Sequence, residues 1–183
     1  MLVAGDSGTG LLNASALAEA WSGYRWRLRP VPHPTHPDTS LDAVSCSSAG
    51  HCLAVGFPVA GAAPFADLAA LWNRGRWRRL TIEGHPSQGF ATNAVSCPTT
   101  TSCVTVGYSL VNGHPGALRW NGRSLTFLPV AGPFAGHLYA VSCTKPAHCI
   151  AVGGSAAPGA STHNGALAEL WTGRRWRLLP ITG

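Results

Sequence analysis

The chain has 183 residues, 45% of them apolar and only 11% charged, which is enough to bury the core of a single domain. No run approaches the roughly 18–20 unbroken apolar residues of a membrane-spanning helix, and residues 1–10 (MLVAGDSGTG) have neither the basic start nor the apolar core of a signal peptide. The formal net charge of +6 is carried by Arg and a single Lys, Lys145; it bears on association with acidic partners and, with no recognition motif beside it, argues against nucleic acid.

From the N-terminus the chain opens on a short apolar run, 1–5 (MLVAG), and then ALAEAWSGYRWRLRP at 16–30. Both have counterparts further along the chain. Residues 41–56 (LDAVSCSSAGHCLAVG) precede DLAALWNRGRWRRL at 67–80. Residues 92–107 (TNAVSCPTTTSCVTVG) precede ALRWNGRSLTFLP at 117–129, and 138–153 (LYAVSCTKPAHCIAVG) precede ALAELWTGRRWRLLP at 166–180. Trp21, Trp72, Trp120 and Trp171 lead the second element of each pair, so the period is about 50 residues.

Each unit holds four short candidate strands, A to D; in the last they lie at about 138–143, 149–153, 166–171 and 175–180. Val, Leu and Trp within the runs and Gly, Pro and Asn between them favour strands, and the same breakers exclude long helices. Strand B (CLAVG, CIAVG) is continuously apolar, as a strand covered on both faces should be. Four strands per repeat at this period predict an all-β fold, a β-propeller-like array of four-stranded antiparallel blades. The competing parallel β-helix has shorter coils. The expected arrangement is one domain over 1–183 with blades at about 1–30 (partial), 41–81, 92–130 and 138–181. The run at 1–5 aligns with strand B, so the first blade lacks its strand A. A start placed one strand too late would account for that gap and for the missing export signal together.

Cysteines at 46/52, 97/103 and 143/149 flank five-residue loops, which place i and i+6 opposite each other in a hairpin. Disulfides Cys46–Cys52, Cys97–Cys103 and Cys143–Cys149 are therefore expected, each contributing about 2–2.5 kcal/mol on the chain-entropy model. They imply an oxidising compartment, secreted or cell envelope. The spacing is not that of a zinc knuckle, and His51 and His148 have Ser102 as their counterpart, so no metal or cofactor is expected. The Trp-x-Gly-x-x-Trp element marks the C–D turn, with Gly supplying positive φ and the paired rings packing between blades. Arg25, Arg27 and Arg29 alternate with Trp26 and Leu28 along strand D, a pattern that protects an outer edge or meets an anionic polymer.

The combination of an SC-x5-C-x-AVG hairpin and a W-x-G-x-x-W turn resembles an uncharacterised bacterial secreted β-propeller repeat family. It is distantly similar to the BNR (Asp-box) sialidase-like propellers. No Ser-x-Asp precedes the turn Gly, and the sialidase catalytic set has no counterpart here.

In such a fold the A–B and C–D turns share one face and the B–C and D–A loops the other. The second set varies between units: 31–40, 57–64, 81–91, 108–116, 130–137 and 154–165. Variable loops on a rigid scaffold are the expected place for binding. His33, His36, His85, His114, His137 and His163 fall there. Asp42, Asn93 and Tyr139 open strand A near the axis, and together with His137, His36 and His85 they are the candidate binding residues. Asp38 and Asp42 form the one close carboxylate pair on this face, and no catalytic triad can be assembled from spacing. The leading expectation is a non-catalytic extracellular binding or scaffold module for a glycan, an anionic cell-envelope polymer or a protein. The alternatives are a propeller-type glycoside hydrolase or lyase using Asp42, Tyr139 and the His loops, and a structural fragment that self-associates or joins further blades.

Overall fold

A computed structural model describes residues 1–7, 15–32, 39–57, 68–84, 89–132, 135–155 and 165–181, and the regular elements among them are all strands. The first sheet comprises β1 (Leu2–Ser7), β2 (Ser15–Trp21) and β3 (Trp26–Leu28). The second comprises β4 (Ala43–Ser48), β5 (His51–Gly56), β6 (Leu68–Asn73) and β7 (Arg76–Arg79). After the two-residue β8 (Ile82–Glu83) comes the third, with β9 (Phe90–Thr99), β10 (Ser102–Ser109), β11 (Pro115–Trp120) and β12 (Leu125–Pro129). The fourth has β13 (Gly136–Lys145), β14 (His148–Ser155), β15 (Gly165–Trp171) and β16 (Trp176–Leu178). Apart from β8, chain order is spatial order within each sheet, and the meander, of three strands in the first sheet and four in the others, is antiparallel. The protein is an all-β, propeller-like array.

Adjacent sheets meet most closely along their first strands, β4 with β9 and β9 with β13, which places those strands innermost. Two side chain–backbone bonds hold this contact: the N–H of Cys97 donates to Ser45 Oγ of the preceding sheet at 3.0 Å, and that of Cys143 to Ser96 Oγ at 3.0 Å. The Ser of the repeated Ala-Val-Ser-Cys is thus the acceptor for the next sheet's Cys. Behind these strands the sheets bury alternating layers. Leu53 and Val55 pack against Phe90, Leu118 and Trp120; Val104 and Val106 pack against Leu138, Ala151, Trp171 and Trp176. Burying each such aliphatic side chain stabilises the fold by about 1.5–3 kcal/mol.

The three hairpins are closed by the expected disulfides, Cys46–Cys52, Cys97–Cys103 and Cys143–Cys149, with Cα separations of 3.9, 4.0 and 4.0 Å. Across each C–D turn the Trp rings meet in pairs, with centroids 5.4 Å apart for Trp72–Trp77 and 5.6 Å for Trp171–Trp176. In the third sheet Leu125 takes the second ring's place and is fully buried opposite Trp120. Trp21 and Trp26 of the first sheet form the same pair, yet both remain partly exposed, because no described sheet precedes them. The displaced glycine of the second turn has a local cause. Arg74 and Gly75 both take positive φ (48° and 90°), the geometry of a two-residue hairpin loop, in which Gly is the residue that bears it without strain.

Two features go beyond the sequence reading. Strand β8, within a segment read as loop, pairs in parallel with the outer strand of the third sheet, Ile82 opposite Leu125 and Glu83 opposite Thr126. The inner strands also extend about two residues further than their apolar cores, β9 back to Phe90 and β13 back to Gly136. Bulges between Val106 and Gly107, and between Leu138 and Ala140, allow the extension.

The glycine of the Val-Gly step that ends strand B sits where that strand crosses the start of the inner strand. A Cβ at Gly56, Gly107 or Gly153 would overlap the carbonyl oxygen of Ser40, Ala91 or His137 respectively, whereas one at Gly5 would meet nothing within 4 Å. Gly107→Ala should therefore lower stability by about 2 kcal/mol or more through backbone overpacking. Gly5→Ala should leave it unchanged. Urea denaturation of both variants decides the matter, and equal midpoints would contradict the close crossing.

Candidate functional site

The start of each innermost strand lies at the loop-side end of the array. In the second sheet Asp42 is the first such residue. Its backbone N–H donates to Val55 O at 2.9 Å, and its Oδ1 accepts from the Ser40 hydroxyl at 3.0 Å. Desolvation pushes its carboxyl above the ordinary value and the nearby Asp6 charge adds to the rise, while Ser40 and the backbone at Phe57 oppose it. The residue as a whole is nonetheless exposed, so the carboxyl is both raised in pKa and open to a ligand.

In the third sheet Asn93 points sideways. Its Nδ2 donates to Leu138 O of the fourth sheet at 2.8 Å, so this side chain joins two inner strands as well as lining their ends. In the fourth sheet His137 lies within β13, not in a loop. Its ring stacks on Tyr108 with centroids 3.6 Å apart and planes at 12°, and Tyr139 stands edge-on to it at 6.0 Å and 79°. Gly136 N–H donates to Gly113 O at 3.0 Å, which fixes the β13 start against the loop after β10. Tyr139 is half-exposed, so the three rings form an aromatic corner with one face in water. His36 and His85, like His33, Asp38 and His163, lie outside the described residues.

Tyr108 is the member that sequence reasoning missed. It follows the Gly of strand B, where the other units carry Phe57 and Gly154, so no repeat singles it out. The available signal was geometric: the end of B lies opposite the start of A, as Tyr108 pairs with Ala91 and Gly154 with His137.

A buried carboxylate anchors the connection between the third and fourth sheets. Glu169 of β15 is fully buried, and its Oε2 accepts the Ala131 N–H at 3.0 Å. Its Oε1 faces Gly132 without a well-aligned hydrogen bond. Burial raises its pKa more than the N–H groups of Ala131 and Gly132 lower it.

The opposite face, made by the A–B and C–D turns, carries clefts the sequence did not indicate. One of about 520 Å³ between the second and third sheets is lined by His51, Asn73, Arg74, Arg78, Thr101 and Trp120, among others. Burial lowers the His51 pKa, which favours a neutral ring there. A second of about 520 Å³ between the first and second sheets is lined by Trp21, Arg29, Cys46 and Trp72, among others. Among the described residues no three His, Cys, Asp or Glu side chains converge in a metal-binding group, and no helix is long and apolar enough to cross a membrane. The three disulfides fit an extracellular or secreted protein.

No protein-family model and no curated protein matches the chain. Solved propeller structures do. The chain is similar to YCF48 bound to D1 peptide, at 15% identity and a TM-score of 0.53, over 91% of this chain and 48% of that one. It is similar to the GH74 xyloglucanase from Xanthomonas campestris at 15% identity and a TM-score of 0.56, over 92% of this chain and 26% of that one. Against the Aleuria aurantia lectin in complex with Fucα1-6GlcNAc the identity is 13% and the TM-score 0.60, over 98% of this chain and 56% of that one. The likeness is one of fold. The chain spans about half the length of YCF48 and the lectin and about a quarter of the xyloglucanase.

The raised pKa of Glu169 gives a signed expectation. A carboxyl whose folded pKa lies above its ordinary value of 4.5 stabilises the fold fully below that pH, and the contribution is lost as pH rises through the raised value. Wild type should therefore lose stability relative to Glu169→Gln across that window, and above it the variant should be at least as stable. Urea midpoints of both proteins over a pH series, from about pH 4 to about pH 8, test this; parallel curves would refute it.

Proposed function

We propose that this chain is a non-catalytic glycan-binding module whose ligand contacts the loop-side end of the inner strands. The observation that carries the reading is the aromatic corner of Tyr108, His137 and Tyr139, held in place by one stacked and one edge-on contact with Tyr139 half-exposed. A rigid ring with one apolar face and a polar tip suits a sugar, which presents C–H groups on one side and hydroxyls at its rim. Little conformational entropy is lost on binding, because the rings are already fixed by their neighbours.

Asp42, Asn93 and Tyr139 occupy the equivalent position on three successive inner strands. Asp42 supplies an acceptor for sugar hydroxyls, and Asn93 supplies an amide oxygen while its nitrogen holds Leu138. His36 and His85, in the segments 31–40 and 81–91 that vary between units and are expected as loops, complete the proposed set. The similarity to a lectin in complex with a fucosylated disaccharide and to a xyloglucanase favours a carbohydrate as the ligand class. The disulfides favour an extracellular encounter with it, on a secreted polymer or the cell envelope.

A glycan array, followed by calorimetry on the best binder, tests the proposal. Tyr139→Ala should weaken binding about tenfold or more, equivalent to about 1.4 kcal/mol or more, with the urea midpoint unchanged. Retention of no glycan or envelope polysaccharide by the folded wild-type protein, or full affinity in Tyr139→Ala, would overturn it.

A further inference from the structure

The two ends of the array present the two halves of the interface that the chain already builds internally. Between sheets, strand B of one sheet offers aliphatic side chains and the next sheet covers them with its Trp residues. Leu53, Val55, Val104 and Val106 are at most 1% exposed for this reason. Their counterparts on the fourth sheet, Ile150 and Val152, are 43% and 45% exposed. At the other end Trp21 and Trp26 are 39% and 40% exposed, whereas Trp171 and Trp176, in the same positions of the fourth sheet, are 2% and 4% exposed.

The residue leaving each strand D repeats the pattern. Val31 is buried against Leu68 and Ala70 of the second sheet, and Val130 packs into the fourth sheet's cluster. Ile181, which holds that place after the fourth sheet, is exposed together with Leu178. One end is thus aliphatic and the other aromatic, and the first and fourth sheets share no substantial contact among the described residues.

We infer that the chain associates head to tail with a second copy of itself, the Ile150, Val152 and Ile181 face of one copy receiving the Trp21 and Trp26 face of the other. The occupant is a second copy because this sequence supplies both sides of the same contact in each of its internal interfaces. Like faces do not pair well: two aliphatic faces, or two Trp faces, lack the knob and the bed that the internal interfaces combine. Two copies joined at both ends make a closed assembly of eight sheets, within the range of about four to eight blades that such rings adopt. The absence of a strand A from the first sheet does not prevent the contact, since that sheet already packs on the second through Leu2, Ala18 and Val31. Ser142, the counterpart of Ser45 and Ser96, then stays exposed to water, as it is in the single chain.

Sedimentation velocity of the whole disulfide-bonded chain tests this, using residues away from Tyr139 so that loss of association and loss of glycan binding are read separately. Wild type should sediment at twice the monomer mass. Ile150→Glu alone and Trp21→Glu alone should each sediment as monomers, because each removes a different half of the contact. Both positions are exposed in the single chain, so each variant should stay folded, with the urea midpoint of wild type diluted to its monomer. Mixed in equal amounts, the two variants should recover a dimer held by one contact, because the intact Trp face of the Ile150→Glu copy meets the intact aliphatic face of the Trp21→Glu copy while the second contact carries both substitutions. A monomeric wild type, a mixture that stays monomeric, dissociation by only one of the variants, or a ladder of larger species would each overturn the two-copy ring.

Discussion

Cys97 and Cys143 each donate a backbone N–H to a serine hydroxyl on the sheet before, at 3.0 Å. The seams between the second and third sheets and between the third and fourth depend on this bond. The innermost strands run too close together for large side chains, and their outward-facing N–H groups need acceptors that only a small residue can provide. Serine at that position is short enough to admit the next strand and polar enough to satisfy it. The disulfide one residue further along keeps the hairpin closed, so the donor stays aimed at its acceptor. The glycine that ends strand B serves the other end of the same hairpin, leaving room for a carbonyl where any side chain would overlap it.

The proposed binding residues collect at the loop-side end because of the same strands. Asp42, Asn93 and Tyr139 occupy one register position on neighbouring sheets, and the scaffold holds them in place while their chemistry differs. One is a desolvated carboxyl, one an amide that also joins two sheets, and one a phenol in an aromatic cluster. Positions that must be alike to build the array and positions free to differ thus stand next to each other in sequence, Asp42 or Tyr139 immediately before an Ala-Val-Ser-Cys.

Much of the fold was legible because the repeat reports the same physical demand several times. Cysteine spacing marked the hairpins, the Trp-Gly-Trp element marked the C–D turns, and continuous apolarity in CLAVG marked a strand covered on both faces. The role of serine in Ala-Val-Ser-Cys was not legible, because its partner lies on the next unit and a small polar residue near a turn suggests only a turn. Strand β8 was hidden for a related reason: two residues carry no periodicity, and Ile82 becomes a strand only where Leu125 offers it an edge. The aromatic corner was half legible. His137 and Tyr139 lie near one another in sequence, while Tyr108 joins them only through a contact between sheets.

Strand β8 also makes the four sheets mechanically unequal. The seam between the second and third sheets is fastened at the inner edge by the Cys97–Ser45 bond and at the outer edge by the pairing of β8 with β12. Among the described residues the first and second sheets have no outer pairing of this kind, and neither do the third and fourth. A load applied to the two ends passes through the sheets in series, so the seam between the first and second sheets, where β1 meets β4 over the smallest contact, should part before the other two. The second, third and fourth sheets, linked by the Cys97–Ser45, Cys143–Ser96 and Asn93–Leu138 bonds, should therefore exchange their amides as the slower unit, with the first sheet as its separable flank.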